Sequence, residues 1–326
     1  MDAVVRRAIE EGVAPVDAIR MATLNPARHF GLDAEGVGSL SPGSAADVVV
    51  LDDLESVAVS TVLSGGEVVY ADHDGDGRGG AREALVEPRS HDYPDRFYDS
   101  AAVSADPDRF RVPASVAGPD GEVRAIERGR GLLSGETTVA PPVAGGELVA
   151  DPDADVLKAA LLDRHPGRER GGDGGARNGE RGFTGFLTGF GLDSGAVATT
   201  VVWETTAVLA VGADDDAMAA AVERVADLGG GWAVVESGSE TASRDPPEVL
   251  AELPAPVAGV CADAPVEDVA AGMDAVEDAL GRLGASGDRP LLALQTLAFP
   301  GVPALKLTVS GYADVLDREL VGLTPV

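Results

Sequence analysis

The chain has 326 residues, 44% of them hydrophobic, with 55 acidic against 25 basic side chains and a formal net charge of −30. That apolar content over that length can bury one or two substantial cores, which excludes a disordered tail. An acidic excess spread along the chain, with Lys158 and Lys306 the only lysines, disfavours nucleic-acid binding, which requires clustered Lys and Arg, and suits a protein adapted to high intracellular salt, where self-repulsion is screened.

Residues 1–36 read as two helices. The first is amphipathic through Val4, Val5, Ala8 and Ile9. The second opens at Pro15, carries Ala18, Ile19, Met21 and Ala22 on its apolar side, and ends through Asn25-Pro26 and Gly31. Both need a further surface to cover them. Gly36, Gly38, Pro42 and Gly43 then mark a turn into Val48-Val49-Val50-Leu51, a β-branched run expected to be a buried strand. Strands over 57–63 and 67–70 follow, joined by a hairpin turn at Ser64-Gly65-Gly66. The connector ADHDGDGRGG reads as a loop; its Gly75, Gly77 and Gly80 mimic a phosphate loop but lack the strand-to-helix context.

Residues 97–150 alternate short apolar stretches with Pro and Gly, as in β-rich connecting structure. Arg164, Arg168, Arg170, Arg177 and Arg181 belong to a Gly-rich stretch expected to be a flexible insertion. Beyond it come a strand over 207–211, acids Asp214-Asp215-Asp216 placed to cap a helix over 217–228, and a strand over 232–235 after Gly229-Gly230-Gly231. A second helix, 265–283, buries Val269, Met273, Val276, Leu280 and Leu283 and turns Glu267, Asp274, Glu277 and Asp278 outward. The tail reads as two strands, 291–296 and 304–309, with Pro300 and Pro303 between them.

The stretch ATLNPARHFGLDAEGVGSLSPGSAADVVVLDD (22–53) resembles the closing signature of metal-dependent amidohydrolases. Four later stretches, 155–165, 190–235, 252–260 and 292–315, are similar to the C-terminal domain of bacterial and archaeal adenine deaminases. The resemblance implies an α+β layout: terminal helices of a truncated (β/α)8 barrel over 1–36, β-sandwich strands and a β-rich connector over 37–150, and a mixed α/β C-terminal domain over 151–326. It also implies a purine-salvage reaction, the hydrolytic deamination of adenine to hypoxanthine and ammonia, with Mn²⁺ or Fe²⁺ as the divalent metal.

Two departures from that family bear on activity. Its barrel metal ligands are not present, the last ligand-bearing strand being expected just upstream of Met1. His29, His73, His91 and His165 stand singly, with no His-x-His and no helical pair, and each reads as a surface or helix-end histidine. The family's His-Asp-Ser-His-Asn stretch is replaced by Trp203-Glu204-Thr205-Thr206-Ala207. Glu204, at the family's aspartate position, is the one candidate site residue; costly to bury unpaired, it faces either a cleft or solvent. Cys261 is the only cysteine, so the Pro-Cys-x-x-Cys route to base deamination is closed and no intramolecular disulfide forms.

The expected function is therefore an adenine-deaminase-like C-terminal portion, inactive alone, whose metal centre comes from a longer gene product or a barrel-bearing subunit. The alternative is a non-catalytic relative that binds a purine or stabilises a homo-oligomer. Neither a nucleic-acid nor a membrane partner is expected. With no secretory leader and no apolar run of spanning length, the expected location is cytoplasmic.

Overall fold

The structure, a computed structural model, describes residues 1–71, 103, 105–129, 131–164, 181–203, 207–238, 246–287 and 289–325. It divides into two compact units, Met1–Arg89 and Ser90–Val326.

The first unit contains α1 (Asp2–Glu10), α2 (Pro15–Ala22) and α3 (Leu24–His29), a 3-10 turn at Leu32–Glu35, and an antiparallel meander of β1 (Val48–Asp53), β2 (Ala58–Ser64) and β3 (Glu67–Ala71). Pro15 stands at the start of α2, where a missing N–H costs nothing. The expected second helix is in fact two. Thr23, at φ −127° and ψ −86°, interrupts it and turns its hydroxyl back to the Ile19 carbonyl at 2.8 Å. Asn25-Pro26 lies in the first turn of α3 instead of closing the helix, because a first-turn residue has no intrahelical N–H bond to lose. Gly65 and Gly66, at φ 58° and 87°, form the two-residue turn between β2 and β3.

Strand β1 is in place but is not buried: Val49 and Val50 are 57% and 44% exposed. A continuous β-branched run implies cover on both faces, whereas among the described residues neither face of β1 is fully covered, and it pairs only with β2. Among the described residues the unit's core is small, consisting of Val5, Ala18 and Val57 with half-buried Ile9, Ile19 and Leu51 packed around them.

The second unit is mixed α/β. Its elements are β4 (Val112–Pro113), β5 (Val123–Arg128), β6 (Ser134–Val139), β7 (Val143–Ala144), β8 (Glu147–Leu148), β9 (Leu157–Asp163), β10 (Gly182–Thr188), β11 (Ala196–Thr199), β12 (Ala207–Gly212), α4 (Asp215–Asp227), β13 (Gly231–Glu236), β14 (Glu248–Pro254), α5 (Val266–Arg282), α6 (Pro290–Leu297), β15 (Leu305–Thr308), β16 (Gly311–Asp314) and β17 (Glu319–Val321). Eight strands form one sheet in the order β14-β13-β11-β12-β9-β10-β5-β6, antiparallel except for the β10–β5 pair. The β-rich 105–150 segment thus supplies two full strands of this sheet, β5 and β6.

Both faces of the sheet are covered. Along β12, Ala207, Leu209 and Val211 join a core with α5, α6 and β15, while Val208 and Ala210 join another beneath α4 and Phe110. Cover on both sides makes β12 read as an unbroken apolar run. Asp214 caps α4, its carboxylate accepting from the Ala217 N–H at 2.7 Å. α5 buries Val276, Leu280 and Leu283, with Val269 and Met273 half-buried against the same core, and its acids Glu267, Asp274, Glu277 and Asp278 are exposed as expected.

The expected strand over 291–296 is instead helix α6. A short apolar run does not by itself distinguish a buried strand from a buried helix. Here Pro290 sits at the helix start, and the run that follows is Leu, Ala and Gln, good helix formers with one β-branched residue, Thr296. The strand expected over 304–309 is present as β15.

Candidate functional site

The segment joining β11 to β12 carries the candidate acid Glu204, which lies outside the described residues with Thr205 and Thr206. What leads into it is tightly held. The Thr199 hydroxyl accepts from the Val201 N–H at 2.9 Å, and the Thr200 hydroxyl accepts from the Gly231 N–H at 2.7 Å. Val202 is buried in the core. The Trp203 N–H donates to the Gln295 carbonyl at 3.4 Å, tying the segment to α6.

The Trp203 indole meets Phe299 edge to face, with centroids 4.7 Å apart, and remains 42% exposed. Gly301 makes room for Phe299, since a Cβ there would stand 2.4 Å from its ring. An apolar aromatic pair thus flanks the place where the family resemblance expects a polar cluster.

At the same end of the sheet, Asp163 pairs with Ala207 in the ladder, and Arg164 follows it. Arg164 is not part of a flexible insertion: it is 3% exposed, and its Nη2 donates to the Ala258 carbonyl at 2.9 Å. Burial lowers the pKa of its guanidinium below the ordinary arginine value. Arg168, Arg170 and Arg177 lie outside the described residues, and Arg181 is exposed, reaching the Ser310 hydroxyl at 3.3 Å.

Both lysines are buried, a placement the sequence reading missed. Lys158 points to the α4 face of β9, where its Nζ stands 2.7 and 2.8 Å from the two carboxylate oxygens of Asp215. Burial raises the Asp215 pKa, and Lys158 opposes that rise. Lys306 lies on β15, and its Nζ donates to the Leu132 carbonyl at 3.3 Å. Burial lowers its pKa to about 8. The sequence shows each lysine within an otherwise apolar strand, Leu157-Lys158-Ala159 and Leu305-Lys306-Leu307, but not what covers it.

The described residues do not fit a divalent metal. His29 is exposed at the end of α3, edge to face with Phe30 at 4.9 Å. His73, His91 and His165 lie outside the described residues. Among the described residues no three His, Cys, Asp or Glu side chains converge. The best-placed carboxylates are committed elsewhere: Asp155 accepts from the Gly189 and Gly191 N–H groups, Asp214 caps α4, and Asp215 holds Lys158.

Residues 132–319 match the family model of the adenine deaminase C-terminal domain. The chain belongs to that family. The adenine deaminase C-terminal domain match takes in both buried lysines, the Trp203–Phe299 pair and the whole of α4, α5 and α6. Residues 1–69 match the amidohydrolase family, whose members are metal-dependent.

Among similar proteins, an adenine deaminase of Moorella thermoacetica is 38% identical over 323 residues, covering 98% of this chain and 49% of its own length. One of Oleidesulfovibrio alaskensis is 35% identical over 328 residues, covering 99% and 50%. One of Methanothrix thermoacetophila is 34% identical over 318 residues, covering 97% and 49%. The chain therefore spans about half the length of the curated relatives it matches. Among the described residues no helix is long and apolar enough to cross a membrane.

Proposed function

We propose that this chain serves as the C-terminal portion of an adenine deaminase, contributing to the hydrolytic conversion of adenine to hypoxanthine and ammonia in purine salvage. The observation that carries this reading is the order of the two family matches, amidohydrolase over 1–69 and adenine deaminase C-terminal domain over 132–319, within an alignment that covers 98% of the chain. The divalent metal, Mn²⁺ or Fe²⁺, is held by residues other than those described, and on this reading the lone chain is inactive. The layout we assign is that of terminal barrel helices, a small β-sandwich portion, and a C-terminal domain that supports the reacting half. The setting we assign is the cytoplasm of a cell with high internal salt, a reading supported by the net charge of −30.

The test is a single polypeptide in which this chain replaces the matching half of the Moorella thermoacetica relative. In molar KCl with Mn²⁺ or Fe²⁺ and adenine, it is expected to release ammonia on the order of once per second or faster, while the lone chain releases none. A folded, metal-loaded chimera that stays silent would overturn the reading.

A second reading, a non-catalytic relative that binds a purine, is favoured by one observation: the apolar Trp203–Phe299 pair at the segment where the resemblance expects polar groups. It requires that the silent chimera still bind adenine in equilibrium dialysis.

A further inference from the structure

One end of the eight-stranded sheet is tied together by polar links between segments distant along the chain. Arg164 stands one residue beyond β9 and is 3% exposed, and its Nη2 donates to the Ala258 carbonyl at 2.9 Å. Ala258, at φ 56°, lies in the tight turn after β14, which is closed by paired backbone bonds between Val257 and Cys261 at 3.0 and 3.1 Å. That turn rests on the glycines that lead into β13. The Ala255 N–H donates to the Gly230 carbonyl at 2.9 Å, and a Cβ on Gly230 would collide with the backbone of Gly259. Gly231 exchanges two bonds with Thr200: its N–H donates to the Thr200 hydroxyl at 2.7 Å, and its carbonyl accepts from the Thr200 N–H at 3.1 Å. Thr200 is fully buried, and three residues later Trp203 meets Gln295 of α6 and Phe299 just beyond it.

These links run in series, from Arg164 to the Ala258 turn, from that turn to Gly230 and Gly231, and from Gly231 to Thr200. Burying a guanidinium costs free energy that an apolar side chain of similar length does not. What the arginine adds here is a directed N–H that fixes the Ala258 carbonyl, and with it the turn against which Gly230 packs. The buried Thr200 hydroxyl does the same for Gly231, since a valine of similar volume offers that N–H no acceptor.

We propose that Arg164 is a positioning residue for the reaction assigned above: through the Ala258 turn, Gly230-Gly231 and Thr200 it holds Trp203 in place, without touching substrate. The link to the reaction rests on the deaminase reading; the brace itself does not. An arginine that only stabilised the fold would affect Tm and leave Trp203 as it is.

Trp203 and Trp232 are the two tryptophans of the chain, one 42% and the other 1% exposed, so acrylamide quenching of the full chain in molar KCl reads Trp203. Arg164→Met and Thr200→Val are each expected to shift that quenching to the value of a freely exposed indole. The double variant is expected to shift it no further, because a series of links is broken by the first loss. The shift is expected to vanish in a Trp203→Phe background. Asp214→Ala, which removes the α4 cap at the other end of β12, is expected to lower Tm and leave the quenching unchanged. In the chimera described above, Arg164→Met is expected to lower kcat about tenfold or more with KM unchanged, the pattern of a misplacement outside the substrate contacts. Unchanged quenching, an additive double variant, a shift that persists without Trp203, or an active chimera indifferent to Arg164→Met each overturns the proposal. Where Arg164→Met does not fold, Arg164→Gln, too short to reach Ala258, replaces it in every arm. A chimera silent even with Arg164 in place counts against the deaminase reading, and the quenching arms then decide the brace by themselves.

Discussion

Lys158 on β9 and Asp215 at the start of α4 are joined through both carboxylate oxygens, at 2.7 and 2.8 Å, and the lysine is 1% exposed. A charge removed from water to that extent depends on its partner, so losing one member leaves the other unpaired in the core. Asp215→Asn is expected to cost about 3–5 kcal/mol. Lys158→Met combined with Asp215→Leu is expected to recover most of that. Urea denaturation in molar KCl measures both, and equal losses in the single and double variants would refute the coupling.

Lys306 has no carboxylate within salt-bridge distance among the described residues, and its pKa is lowered by burial alone, from 10.5 to about 8. The unfolded chain therefore binds more protons between those two values, so stability rises with pH across that window, and the full cost is present below about pH 8. Lys306→Met, which keeps the length of the side chain, is expected to stabilise the protein near neutral pH by about 2–3 kcal/mol, because each tenfold weakening of proton binding on folding costs ~1.4 kcal/mol. The gain should shrink toward zero as the pH approaches the unfolded value. A pH-independent difference between the two proteins would show that the buried ammonium is not its source.

The Tyr312 hydroxyl takes the place of a ladder carbonyl, accepting from the Phe186 N–H at 2.7 Å, and burial raises its pKa. It fits because residue 185 is glycine, whose missing Cβ would lie 2.1 Å from the hydroxyl oxygen. Tyr312→Phe is expected to cost about 1–3 kcal/mol by leaving the Phe186 N–H without an acceptor. Gly185→Ala is expected to cost at least as much through overlap. Thermal unfolding of the two variants is the check, and a neutral Gly185→Ala would contradict the close approach.

Asp214 both caps α4, by accepting from the Ala217 N–H, and accepts from the Ser237 hydroxyl. Asp214→Ala is expected to lose roughly 1–2 kcal/mol, and Asp214→Asn, which keeps a capping oxygen, a smaller amount. Chemical denaturation of the pair measures the difference, and equal losses would remove the cap as the cause.

With a formal net charge of −30, the folded chain repels itself more than the expanded one does. Raising KCl from low to molar concentration is expected to raise Tm by well over what a charge-balanced protein of this size shows, through screening. A Tm that does not change with KCl would remove the basis for the high-salt reading.

Much of the second unit was legible in the sequence because its signals are local. The acids at 214–216, the 3.6-residue spacing in α4 and α5, and the glycines at 229–231 each act on neighbours a few residues away. The candidate site was less legible. The sequence reading singled out Glu204 by position, while the buried cations Lys158, Arg164 and Lys306 are held by a helix and turns far away in the chain, at α4, Ala258 and Leu132.

By itself the sequence determined the periodic elements, the caps, the acidic surface and the family resemblance, since composition and short-range pattern carry all of these. Only the tertiary structure decided that residues 290–297 are helical, that Val49 and Val50 stand exposed, and that both lysines lie inside. The physical reason is the same in each case. Burial is a relation between segments distant along the chain, and an apolar run or a lone charge does not specify which face of which neighbour will cover it.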